Sequence, residues 1–177
     1  MKSMAGDHHS IRQLSAVTEA ELDGLALVLI DCVEGGASVS FMHPLSQPKA
    51  VAFWRRIARD VENGACALLV AEDAGGIVGT VQVLLAQPEN QPHRAEISKM
   101  LVHRRARRRG IGAALMRAAE DIARQCRKSL LVLDTSSGDA ERLYARLGWT
   151  LVGIIPGYAL WPEGGLSSTS FYYRMLA

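Results

Sequence analysis

The amino-acid sequence predicts one α/β domain, with a central mixed, mostly antiparallel sheet of about six to seven strands flanked by about four helices. Three observations carry that expectation. Apolar residues recur at helical spacing in separate segments, and short strand-like runs rich in apolar and β-branched residues lie between them. The run LLVLDT (130–135) follows a helical segment and shows no polar alternation. That is the pattern of a central strand buried on both faces and reached by a crossover, so one parallel pair belongs in the sheet.

Taken in order, residues 1–9 are polar and read as a disordered N-terminus, which leaves 10–177 as the domain. Ser10 to Val17 reads as a short strand. Thr18 with Glu21 forms a capping box at the head of a helix that ends near Gly35-Gly36. The Gly-, Ser- and Pro-rich stretch GGASVSFMHPLSQP (35–48) is a loop, and an amphipathic helix follows from about Lys49 to Glu62. Strands over 65–72 and 77–85 flank Asp73-Ala74-Gly75-Gly76, a turn that favours a hairpin.

A loop holding Pro88 and Pro92 leads to a strand over 94–103 and then to a basic turn. In the next helix Ile111, Leu115, Ala118 and Ile122 form the inner stripe, and Arg117, Glu120, Asp121 and Arg124 the outer face. Asp139 to Leu147 makes a short helix with Ala140, Leu143, Tyr144 and Leu147 on one stripe and Gly148 as its C-terminal cap. Strands over 149–154 and 169–176 complete the sheet.

A chain of 177 residues, 49% hydrophobic and 21% charged, can bury a core and still shape a ligand cleft without covalent or metal staples. Cys32, Cys66 and Cys126 are far apart, with no Cys-x-x-Cys pair or nearby histidine spacing, so they read as reduced thiols and no metal is expected. His43, His93 and His103 lack the spacing of a triad or metal site. The net charge of +2 argues against nucleic-acid or acidic-membrane partners. The polar start and the shortness of the apolar runs point to a cytoplasmic protein, monomer or homodimer.

The strongest motif is RRRGIGAAL (107–115), placed between the end of a strand and the first turn of a helix. A helix N-terminus offers unpaired N–H groups and a partial positive charge, and Gly110 and Gly112 let the backbone curl round an anion. Arg107, Arg108 and Arg109 add charge-assisted contacts, so the segment is shaped for a pyrophosphate. A dinucleotide fingerprint would need a third glycine where Leu115 stands, and a nucleoside-triphosphate loop would need Gly-Lys-Ser/Thr. A solvated arginine turn remains the plain alternative. A non-catalytic RNA- or phosphate-binding module using Arg104 to Arg109 is the functional one, though no stacking aromatics accompany the cluster.

With Arg107, Gly110 and Gly112 in the form Q/R-x-x-G-x-G/A, the chain resembles the GCN5-related N-acetyltransferase (GNAT) superfamily over about residues 65–175. LYARLGW (143–149) looks like that family's later helix-to-strand junction. The resemblance implies acetyl-CoA as co-substrate, held between a splayed parallel strand pair. It assigns the pantetheine arm to the main chain of Met100, Leu101 and Val102 and the pyrophosphate to residues 107–113, Ile111 and Ala113 included. Arg108 departs from the pattern, because many members carry glycine there. A narrower resemblance, to tabtoxin-resistance acetyltransferases, rests on GGASVSFM (35–42), RAEISKM (94–100), LDT (133–135) and PGY (156–158). It implies a small amino-acid-like acceptor, toxin or antibiotic amines among them. Action on protein amines is the alternative within the superfamily.

Acetyl transfer to an amine needs a base, a polarised carbonyl and an acid for the leaving thiolate. A carboxylate with pKa about 4.3 is a poor base for an ammonium of pKa about 10 unless burial raises it or water relays the proton. Glu96, in a strand expected to be central, is the best candidate, and an ion pair with Arg94 or Lys99 is its alternative role. Asp134 closes its strand at the carboxyl end, where open α/β sheets bind ligands. It could bind the acceptor's ammonium or deprotonate it, and a helix cap is its plain alternative. Tyr144 is placed to protonate a thiolate, or else is a hydrogen-bonded core tyrosine. A main-chain N–H near Val102 would polarise the carbonyl. Phe41, Met42, Tyr158 and Trp161 fall in expected loops, and Phe41 and Tyr158, with Asp134, are assigned to the acceptor pocket.

Overall fold

The apolar runs assemble into one seven-stranded sheet, described in a computed structural model for residues 9–176. Its strands are β1 (Ser10–Leu14), β2 (Cys66–Asp73), β3 (Gly76–Leu84), β4 (Arg94–Val102), β5 (Leu130–Thr135), β6 (Thr150–Leu160) and β7 (Leu166–Met175). Their spatial order is β1-β2-β3-β4-β5-β7-β6, and only β4 and β5 run parallel. The helices are α1 (Glu19–Glu34), α2 (Gln47–Glu62), α3 (Ile111–Gln125) and α4 (Gly138–Arg146). The disorder expected of residues 1–9 lies outside the described residues except at His9.

Strand pleating sends alternate side chains to two cores. Leu14, Leu68, Val70 and Leu101 bury against α1 and α2, where Trp54 is fully enclosed. Leu69, Val81, Ile97 and Leu133 bury on the opposite face against α3, with Tyr144 of α4. The helix starts follow from side-chain caps. Thr18 Oγ1 accepts the Glu21 N–H at 3.3 Å while the Glu21 carboxylate accepts the Thr18 N–H at 2.8 Å. Ser46 caps α2 by accepting the Lys49 N–H, so α2 begins at Gln47 rather than Lys49, with Pro48 in its first turn.

Four expectations are corrected by packing. The first strand stops at Leu14, because β1 pairs only along Leu68 to Glu72 of β2 and the chain must then turn to cap α1 at Thr18. LLVLDT is not buried on both faces: Leu131 and Leu133 are buried, Leu130 and Val132 half-buried and Asp134 exposed. Its second face is open because α1 and α2 pack chiefly over β2, β3 and β4. β6 runs on to Leu160 instead of ending near Ile154, so Tyr158 is a strand residue. As the edge strand it tolerates Pro156, which lacks an N–H, at an irregularity between Ile155 and Ala159.

Finally, Glu120 does not lie on the outer face of α3 but is 5% exposed. It accepts a hydrogen bond from Trp149 Nε1 at 3.1 Å and pairs with Arg174 at 3.1 Å. This carboxylate ties α3 to the chain leaving α4 and to β7. Removing it would strand a buried indole N–H and a part-buried guanidinium. Glu120→Ala is therefore expected to lower unfolding stability by about 3 kcal/mol, read from urea denaturation, and Glu120→Gln by less.

Candidate active site

The parallel pair is joined over only three positions, Arg94↔Leu130, Ala95↔Leu131 and Glu96↔Val132. Beyond them β4 and β5 diverge, and a cleft of about 930 Å3 opens between Ile97–Val102 on one side and Leu133–Thr135 on the other. A bulge in β4 accompanies the divergence. Thr80 pairs with Leu101 and Gln82 with Ser98, so Val81 of β3 faces both Lys99 and Met100. Lys99 takes the left-handed conformation at φ 48°. Main-chain groups of β4 past Glu96 thus have no β5 partner and border the cleft.

At the mouth of the cleft, α3 begins without a side-chain cap, after Gly110 at φ 76°. Gly110, Ile111, Gly112 and Ala113 line the cleft, which leaves the first-turn N–H groups of α3 as an anion cradle. Ile111 itself is buried, so only its main chain serves this surface. Arg108 is left-handed at φ 61°, so it adopts a conformation that glycine takes freely, which accounts for a loop built without glycine there.

The arginines divide into anchors and cleft residues. Arg104 donates through Nε and its own N–H to Asp31 at 2.9 and 2.7 Å. Arg105 grips Asp73 at 2.8 and 3.1 Å, and Arg109 reaches the same carboxylate at 3.3 Å. The hydrogen bond from Arg105 above all holds the Asp73 carboxyl below its usual range. Arg107 donates to the Val102 carbonyl at 3.2 Å, and it and Arg108 border the cleft. Of the three arginines assigned to phosphate from sequence, the first two stand at the cleft and Arg109 sits on Asp73.

A second cavity of about 320 Å3 adjoins the first, and Ser38, Ser40, Asp134 and Ser136 border both. Phe41, Met42 and Tyr158 wall it, so all three residues assigned to the acceptor, Phe41, Asp134 and Tyr158, converge here. Phe41 stacks edge-on to Phe53 of α2 at 5.2 Å, and Tyr158 edge-on to Phe171 at 5.4 Å. Trp161 borders the larger cleft instead.

Asp134 is exposed at the end of β5, and Ser137 rather than Asp134 caps α4. Glu96 is half-buried and borders neither cavity. Burial, and then the nearby Asp134 charge, raise its carboxyl above the ordinary range. Arg94 does not pair with it but donates to Gln87 and Gln91. Tyr144 borders the large cleft from α4, with Trp149 and Tyr172 packed at 5.9 and 5.8 Å. Burial, then Asp134 and Tyr172, push its phenol up, so it keeps its proton at neutral pH. Sequence reasoning passed over Ser38, Ser40 and Lys99 as site residues. A lysine three residues from the candidate base Glu96, beside the apolar run Met100-Leu101-Val102, was the available signal for the last.

A sheet opened at its one parallel pair thus carries, at the opening, an uncapped helix N-terminus suited to an anion. Residues 37–149, well over half of the chain, match the family model of the acetyltransferase (GNAT) family, and the chain belongs to that family. Among solved structures it is similar to yncA from Salmonella typhimurium with its cofactor acetyl-CoA, at 19% identity and TM-score 0.78, covering 96% of this chain and 95% of that one. It is also similar to a phosphinothricin acetyltransferase from Sinorhizobium meliloti in complex with acetyl-CoA (20%, TM-score 0.79, 96% and 89% covered). A ribosomal-protein-alanine N-acetyltransferase from Brucella melitensis aligns at 24%, TM-score 0.76, over 94% and 99%. At these identities the likeness establishes the shared fold.

Because Arg108 pays for a left-handed backbone, Arg108→Gly is expected to change thermal stability by no more than about 1 kcal/mol, in the stabilising direction. Gly110→Ala, at φ 76° with open space around its Cβ, is expected to cost about 1 kcal/mol by the same measurement.

Proposed function

We propose that the protein is an acetyl-CoA-dependent N-acetyltransferase that acetylates the amine of a small, amino-acid-like acceptor by direct attack in a ternary complex. The observation that carries this reading is the cleft itself, lined by an uncapped helix N-terminus together with Asp134 and Tyr144. Its residues fit the co-substrate. First-turn N–H groups of α3 with Arg107 and Arg108 suit a pyrophosphate, and the unpaired edge of Met100, Leu101 and Val102 suits an amide-bearing pantetheine arm. At Gly112 a Cβ would lie 3.1 Å from Leu143 Cδ2, so glycine keeps the wall of the cleft clear.

Bound there, acetyl-CoA supplies a thioester carbonyl as the acyl donor. Asp134 attracts the acceptor's ammonium, and Glu96, made more basic by burial, takes its proton through water, since it borders neither cavity. A main-chain N–H near Val102 donates to the carbonyl oxygen. Tyr144, kept protonated, gives its proton to a thiolate of pKa about 8.5. The acceptor reading draws on the smaller cavity. Much of its wall comes from the segments that resemble tabtoxin-resistance enzymes: Ser38, Ser40, Phe41, Met42, Asp134 and Tyr158.

A cavity of about 320 Å3 favours a small acceptor over a protein terminus, although an enzyme named for a ribosomal-protein alanine shares the fold. Against polynucleotide binding stands the engagement of Arg104, Arg105 and Arg109 by Asp31 and Asp73. Among the described residues no helix is long and apolar enough to cross a membrane, and no cluster of three His, Cys, Asp or Glu suits a metal. That the reaction is cytoplasmic and uses no metal is the expectation from the sequence and part of this proposal.

Isothermal titration with acetyl-CoA tests the reading. Micromolar binding is expected, reduced at least tenfold by Arg107→Ala combined with Gly112→Asp, because the latter puts a carboxylate among the phosphate-binding N–H groups. No binding by folded wild-type protein would sink the proposal. In steady-state assays, kcat/KM is expected to rise with pH as Glu96 loses its proton, with a limb above the ordinary carboxylate range because burial raises its pKa. Glu96→Gln should remove that limb and lower kcat by roughly 100-fold or more, and Tyr144→Phe should lower kcat with acetyl-CoA affinity retained.

A further inference from the structure

Lys99 is a cation set into the floor of the site. It borders the large cleft, as do Ser40 and Asp134, two of the residues common to both cavities. Its Nζ donates to Ser40 Oγ at 3.2 Å and lies 5.8 Å from the centre of the Phe53 ring. The Arg56 guanidinium carbon lies 5.4 Å from the same ring, so two cations share one aromatic neighbour. Neither forms an ion pair with a carboxylate among the described residues. An ammonium has three donors, and here one protein hydroxyl takes one of them. The left-handed backbone at Lys99, unusual for a side-chain-bearing residue, is held by the bulge that turns this position out of the β3 ladder.

Resting on the acetyltransferase reading above, we propose that Lys99, assisted by Arg56, binds a carboxylate carried by the acceptor. The acceptor is then held as a zwitterion, its amine at Asp134 and its carboxylate at Lys99, and Lys99 is the specificity-determining residue. Burial lowers the proton affinity of Lys99 while Asp134 and Glu96 raise it, so a bound carboxylate would add to the groups that keep it charged. The Arg56 charge, beside the same ring, also lowers the proton affinity of Lys99, and a carboxylate at Lys99 would offset that repulsion although Arg56 itself borders neither cavity.

The test is acetyl-CoA-dependent thiol release measured with the twenty standard L-amino acids and their C-terminal carboxamides, for wild type, Lys99→Met, Lys99→Arg and Arg56→Gln. Acetyl-CoA affinity is titrated in parallel for each variant. For the amino acids turned over, the acid is expected to exceed its amide in kcat/KM by about ten- to hundred-fold through KM. Lys99→Met should collapse that ratio towards one with acetyl-CoA affinity unchanged, and Lys99→Arg should restore part of it. Arg56→Gln, an exposed change that leaves the core intact, should lower the ratio by a smaller factor that fades at high salt. Amides used as well as acids, a preference that survives Lys99→Met, or no turnover of any pair by protein that binds acetyl-CoA would each overturn the assignment to Lys99. Loss of acetyl-CoA binding in the wild type would instead defeat the underlying acetyltransferase reading.

Discussion

The separation of β4 from β5 is the constraint on which the rest of the structure depends. A continuous sheet would satisfy its own main chain and present no cleft. Here hydrogen-bonded pairing between β4 and β5 ends at Glu96 and Val132, and the cleft opens past that point. The bulge at Lys99 and Met100 bends β4 while β3 keeps it in the sheet, so one edge of the strand is freed without loss of the core. Leu101 and Ile97, on opposite faces of β4, stay buried and hold the strand in place while its free edge stays open.

Carboxylates play the complementary part in fixing the cleft's surroundings. Asp31 at the end of α1 receives both the main-chain N–H and the side chain of Arg104, while Asp73 of the β2–β3 hairpin holds Arg105 and Arg109. Glu120 performs the same service behind α3 through Trp149 and Arg174. Asp31 and Asp73, from two separate elements, thereby immobilise a segment whose own charges would otherwise push it apart, while Glu120 fixes α3 against β7.

Much of this was readable from residue patterns. Thr18-x-x-Glu21, Gly110-x-Gly112 and the glycines of the 73–76 turn announce local geometry that needs no partner, and each occurs where expected. The failures share a cause. Glu120 falls on the polar side by helical spacing, yet Trp149 and Arg174 approach it from distant parts of the chain. LLVLDT has the composition of a doubly covered strand, but coverage depends on how far α1 and α2 reach. Lys99 could not be assigned because a bulge shifts side-chain phase, and periodicity assumes that phase is kept. Asp134 is assigned from its place at a strand end and Phe41 and Tyr158 as aromatics of expected loops, and only the folding of β6 beside β7 shows why a residue 24 positions from Asp134 borders the same cavity.

The hairpin carrying Asp73 illustrates how function can be stored away from where it is exercised. Asp73 borders neither cavity, and a Cβ added at Gly75 nearby would lie 3.1 Å from the Arg105 guanidinium. A designer seeking a place to graft a tag or shorten a turn would choose this tip, since it is a surface reversal between two strands. Such surgery would remove the carboxylate that Arg105 and Arg109, in the segment leading into α3, both engage. The nominally neutral insertion point is thus the keystone of the loop beside it.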